Sequence, residues 1–119
     1  MTAPVILHLA EHLAAHADQA LRSVLHQGGD INVVLWQIPA GASLPLHRHP
    51  QGEDVWVLLQ GRARLQDDDN SGRLLTAGDT VIIGTGQAHG LYNDGSEDCV
   101  LLSLIRPQAG FQALSANED

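Results

Sequence analysis

Gly41-Ala-Ser-Leu-Pro-Leu-His47-Arg-His49-Pro-Gln-Gly-Glu53-Asp54 leads into an apolar run that closes at Gly61. Gly78-Asp79 leads into a second apolar run that ends at Gly84, with Gly86, His89 and Asn93 behind it. His47 and His49 are two apart on a segment that alternates like a strand, so both imidazoles leave one face. A carboxylate opens the next apolar strand, and a third histidine arrives beside a later glycine turn. Three imidazoles and a carboxylate converging inside a barrel make a site for a divalent transition metal.

Outward from these blocks, short β-rich runs separated by turn residues predict a sandwich or barrel. Strands are expected over 31–38, 55–59, 62–66, 73–75, 80–83, 89–92 and 99–105, with 62–66 running back against 55–59. The stretch from Leu9 to Ala17, with Leu9 and Leu13 one turn apart, predicts a short helix. His8, His12 and His16 would then form a stripe on it. That stripe reads as a solvated face, because a metal site also needs a carboxylate or thiol and supporting hydrogen bonds. From Pro107 onward, Ala, Gln, Ser, Asn and acidic residues predict a loosely held tail. The expectation is one domain over 1–119, with an N-terminal segment 1–21, a barrel core at about 22–106 and a tail 107–119.

Bulk properties narrow the function. A chain of 119 residues buries one core without disulfide staples. Its formal net charge of −8 argues against nucleic acid and against an anionic membrane surface as partners. No lysine is present, which removes Schiff-base chemistry. Cys99 is the only cysteine, so nothing indicates an oxidising compartment. With no signal-peptide pattern and no run of membrane-spanning length, the expectation is a cytoplasmic protein.

Taken together, the two glycine-bounded blocks resemble the paired motifs of the cupin superfamily. The first family motif is glycine, five residues, His-x-His, three or four residues, glutamate, six residues, glycine; Gly41, His47, His49 and Gly61 fall in those places. The second is glycine, five residues, Pro-x-Gly, two residues, histidine, three residues, asparagine. Gly78, Gly86, His89 and Asn93 match it, with Gly84 where the family has proline. The resemblance spans about half of the chain and implies an all-β double-stranded β-helix, the jelly-roll cupin barrel, here with a short N-terminal helix. It also implies that His47, His49 and His89 hold a divalent ion such as iron, manganese, nickel or zinc. The glutamate position of the motif falls on Asp54. Glu53 has the right residue type but lies one place too early, so it enters the barrel only if a bulge intervenes. Strand register favours Asp54 as the fourth ligand and keeps Glu53 as the alternative.

The remaining residues have plainer roles. Trp56 reads as a wall of the substrate pocket whose indole N–H is free to orient a polar ligand. Arg64 and Gln60 are substrate-contact candidates by proximity alone. Asp54, Trp56 and Leu58 share one face of their strand, while Val55, Val57 and Leu59 share the other. Both faces are apolar, so the second needs cover, most simply from another subunit. A homodimer is therefore expected, and small cupins are commonly dimers. The resemblance admits a metal-dependent enzyme of dioxygenase or isomerase/epimerase type acting on a small oxygen-containing molecule, such as a sugar acid, a phenolic or a diketone. A non-catalytic protein that holds a small ligand or metal is the competing reading, because fold alone does not choose.

Overall fold

Burial alternates along β4 (Asp54–Gln60): Asp54, Trp56 and Leu58 point inward, while Val55 and Val57 between them stay half-buried. A period of two is what a pleated strand between core and surface requires. The same logic builds the rest of the chain. The structure is a computed structural model and describes residues 3–114. Its strands form two five-stranded antiparallel sheets. One sheet runs β1 (Leu21–Gln27), β2 (Asn32–Ile38), β9 (Cys99–Ile105), β4 and β7 (Thr80–Ile83). The other runs β10 (Gln112–Ala113), β3 (Ser43–Arg48), β8 (His89–Tyr92), β5 (Arg62–Asp67) and β6 (Leu74–Thr76). The architecture is the expected double-stranded β-helix.

Between the sheets, Ile38, Trp56, Leu58 and Leu101 of the first pack against Leu44, Ala63, Leu65 and Leu91 of the second. Cys99 is buried in the same cluster, and burial pushes its thiol up to about 11, so it is inert filler. Going from Leu58 through Trp56 to Asp54, the inward face of β4 changes from apolar to polar. One end of the barrel is thus a sealed core, and the other end carries the site.

Three sequence expectations need correction. β5 does not run back against β4, because β4 pairs with β7 and β9 and has no free edge. Gly61 instead turns the chain from one sheet into the other at φ 79, where a Cβ would lie 2.5 Å from the Asp98 carbonyl oxygen. The N-terminal helix is only a single 3-10 turn, Leu9–His12, with no side-chain cap. Gln37 competes for the backbone there: its amide accepts from the Ala14 N–H and donates to the Ala14 carbonyl, both at 2.9 Å. That tertiary contact holds the chain extended and dissolves the proposed stripe of His8, His12 and His16.

The third correction concerns the tail. Its described part, up to Leu114, is laid onto the barrel: β10 pairs with β3, Gln51 N–H donates to the Ala109 carbonyl, and Leu114 N–H donates to the Leu46 carbonyl. Residues 115–119 lie outside the described residues. β1, which the sequence reading did not assign, is an edge strand whose alternation carries few large apolar residues. No helix among the described residues is long and apolar enough to cross a membrane.

Candidate metal centre

The inward aim of His47 depends on a bulge. Leu44 pairs with Leu91 and His47 pairs with His89, so Pro45 and Leu46 together oppose the single Gly90. One extra residue switches strand parity, which lets Leu44 face the core while His47, three further on, also faces inward. Gly90 makes the bulge fit, because a Cβ there would lie 2.8 Å from the Leu44 carbonyl oxygen and 3.1 Å from the Leu46 Cα. His49 follows at the end of the strand, and His89 opens β8 directly across from His47.

These three histidines come together, with one ligand atom from each inside a 4.8 Å cluster. Each ring is oriented by a backbone carbonyl. The Nδ1 atoms of His47, His49 and His89 lie 2.8, 2.6 and 2.9 Å from the carbonyls of Pro45, Gly110 and Gln87. A carbonyl only accepts, so each Nδ1 donates, and each neutral ring keeps its lone pair on Nε2. That is the support a metal-ligating histidine requires. His89 Nε2 is buried without a hydrogen-bond partner among the described residues. An orphaned buried acceptor is costly, and a cation at the cluster would satisfy it.

Asp54 lies against the cluster and is only 3% exposed. Its Oδ1 accepts from the Ser103 hydroxyl, and its Oδ2 accepts from Trp56 Nε1 at 3.2 Å. Oδ2 is also 3.5 Å from His49 Nε2 and 3.6 Å from His89 Nε2. Those separations are too long for well-made hydrogen bonds, and they set the carboxylate beside the two Nε2 atoms. No bulge follows Gly52, and Glu53 is exposed on the other side of the strand. This donor set, three imidazole lone pairs and one buried carboxylate, fits a divalent transition metal.

Electrostatics agree with the packing. Burial pushes the Asp54 carboxyl up, but contacts from His49, His89 and Ser103 outweigh it and hold the group well below the usual carboxylate range. Burial pulls His49 down, yet the Asp54 carboxylate and the Gly110 carbonyl raise it above its ordinary value. For His47 burial wins and lowers the imidazole to about 4. A depressed histidine makes the metal-free fold less stable as pH falls from 6.5, its ordinary value, toward 4, because only the unfolded chain takes the proton. In chelator-treated protein, the melting temperature of wild type relative to His47→Asn should therefore drop across that window. A constant difference from pH 7 to pH 4 would show that His47 is not held neutral by burial.

The centre opens into a cavity of about 490 Å3 whose walls include Val34, Trp36, Leu46, Ile105 and Phe111 beside His47, His49 and Asp54. Trp56 lines it too, but its indole N–H is engaged by Asp54 and does not face a ligand. Arg64 is not brought here, since it binds Asp94 at 3.0 Å. Gln60 reaches the Asp98 carbonyl instead. Residues the sequence reading missed complete the site. Ser103 was visible as the one polar residue inside the apolar run of β9. Gly110, whose carbonyl orients His49, and Phe111, stacked on His47 with centroids 5.1 Å apart, carried no local signal.

Comparison with known proteins agrees with this geometry. A family model described as the cupin domain matches residues 34–105. The solved structure of an uncharacterized conserved protein with a double-stranded β-helix domain from Klebsiella pneumoniae superposes with a TM-score of 0.86 at 31% identity, covering 95% of this chain and 99% of that one. Auxin-binding protein 1 of Arabidopsis thaliana is 31% identical over 91 residues, which is 70% of this chain and 46% of that protein. The oxalate-binding protein of Thermotoga maritima is 28% identical over 69 residues, 58% of this chain and 56% of that protein. The chain thus spans about half the length of these two relatives. Motifs, barrel and family match converge: the chain belongs to the cupin family.

Proposed function

We propose that this cupin is a metal-dependent enzyme that takes a small oxygen-containing molecule into the barrel and acts on it at His47, His49 and His89, with Asp54 as the fourth ligand. The observation that carries this reading is the shared orientation of the three rings, each with Nδ1 on a carbonyl and Nε2 free. The fit extends to the cavity, which is large enough for a small ligand and reaches the cluster. Bound there, such an ion would supply Lewis acidity toward a substrate oxygen or, if redox-active, a route for electrons. The chain's own part is to aim the rings through their carbonyl partners and to surround the ligand with apolar walls.

A non-catalytic binding protein is the second reading, and one observation favours it. Among the described residues, the acid–base groups lining the cavity are the candidate ligands themselves and two arginines, so none of them is a separate general base. The two curated relatives are also named for binding, of auxin and of oxalate. Metal analysis of protein purified without a histidine tag, followed by oxygen-uptake screening of candidate substrates, separates these readings. One equivalent of metal with turnover supports the enzyme. One equivalent of metal and tight binding without turnover supports the second reading.

We further propose a homodimer packed through the outer face of the β4–β7 pair. Leu59 is 41% and Ile82 64% exposed there, beside the half-buried Val55 and Val57. Contiguous exposed apolar surface of this kind marks interaction sites. Ile82→Glu should convert a dimer to a monomer in sedimentation analysis. A monomeric mass for the wild type at micromolar concentration would sink the proposal.

A further inference from the structure

Resting on the reading of the cavity as a metal-dependent small-molecule site, we infer that its ligand is an anion: a small carboxylate-bearing compound with an apolar body, held by Arg22. Arg22 lies on β1 opposite Trp36 and lines the same cavity as His47, His49 and Asp54. The other arginines show why this one stands out. Arg62 and Arg64 bind Asp94, and Arg73 contacts Asp67. Arg106, which also lines the cavity, donates to the Gln51 carbonyl. Arg48, between two inward histidines, lies on the opposite face of β3, where its Nε is buried without a hydrogen-bond partner among the described residues.

Arg22 has no carboxylate partner among the described residues, in a chain with 14 acidic residues and a net charge of −8. Asp54, the one carboxylate of the cavity wall among the described residues, is already engaged by Ser103, Trp56 and the histidines. Arg22 is exposed at the cavity wall; a guanidinium there without its own counterion favours an anion from solution, and its planar fork matches a carboxylate in two-point contact. Trp36 next to it, with Val34, Leu46 and Phe111, supplies apolar surface for the rest of the molecule. A cationic ligand would meet repulsion, and a neutral one would leave the fork unused.

The test uses the full chain loaded with zinc and calorimetric titration with acetate, benzoate and 3-phenylpropanoate, each against its neutral amide. At least one acid should bind wild type about tenfold or more tightly than its amide, as a charge-assisted hydrogen-bonded pair provides. Arg22→Gln should erase that preference while keeping the wild-type melting temperature and a full equivalent of zinc, and Arg22→Lys should restore part of it. A preference that survives in Arg22→Gln would place the carboxylate elsewhere and overturn the inference. So would the absence of any acid preferred over its amide. If wild type retains no zinc after dialysis, the metal reading fails separately, and the acid-against-amide comparison is still read on the metal-free protein.

Discussion

Replacing His49 by alanine is expected to abolish stoichiometric metal binding while leaving a folded barrel. His49 supplies one of three converging lone pairs, and its Nδ1 ties the centre to Gly110 on the C-terminal strap. It also faces Asp54 Oδ2 at 3.5 Å, so its loss removes a donor and part of what holds the carboxylate in place. Disturbing only a supporting hydrogen bond of a ligand typically weakens metal affinity by about 10- to 100-fold. Loss of the ligand itself should exceed that, beyond what survives dialysis. Asp54→Ala should weaken binding far more than Glu53→Ala, because Asp54 is 3% exposed against the cluster while Glu53 is exposed away from it. Elemental analysis of dialysed protein reads all three variants. A full equivalent of metal on the His49 variant would place the site elsewhere and remove the basis of the enzyme reading.

The second large effect is on stability. Asn93→Ala should destabilise the fold by about 3 kcal/mol, since buried partners left unpaired cost ~1–3 kcal/mol each. Asn93 is 0% exposed. Its Nδ2 donates to the carbonyls of Ile38 and Glu97, each at 2.8 Å, and its Oδ1 accepts from the Gly95 N–H at 2.9 Å. Its backbone meanwhile pairs with Gly41 and Ala42. One side chain thus ties the end of β2 to the turn between β8 and β9. At roughly 4 °C per kcal/mol, the melting temperature should fall by about 12 °C. Asn93→Asp discriminates the cause: it fills the same space but supplies no N–H donors and buries a charge. It should be at least as damaging as alanine, and a near-neutral Asp variant would show that shape, not donation, holds the turn.

That asparagine illustrates how much of the molecule was legible beforehand. Its place in the second motif marked it as part of the family pattern, but its partners lie up to 55 positions away and no local rule names them. Glu53 and Asp54 show the opposite case. The period of two already separated their faces, and the structure keeps regular register from Asp54 to Leu58 against β9.

What the sequence by itself determined is what repeats locally. Short β-rich runs bounded by turn residues placed β4, β7, β8 and β9, and the glycine-bounded blocks placed three histidines and a carboxylate on facing elements. Only the tertiary structure decided the rest. Whether β5 pairs with β4 depends on which edges β7 and β9 have already filled, a competition among distant segments. The helix expected from Leu9 onward yielded to Gln37, 23 positions from Ala14. The tail became a wall of the site because the Gly110 carbonyl meets His49 across 61 positions. Periodicity reports which face a residue shows; which neighbour it meets is settled by packing of the whole chain, where long-range contacts outweigh local preference.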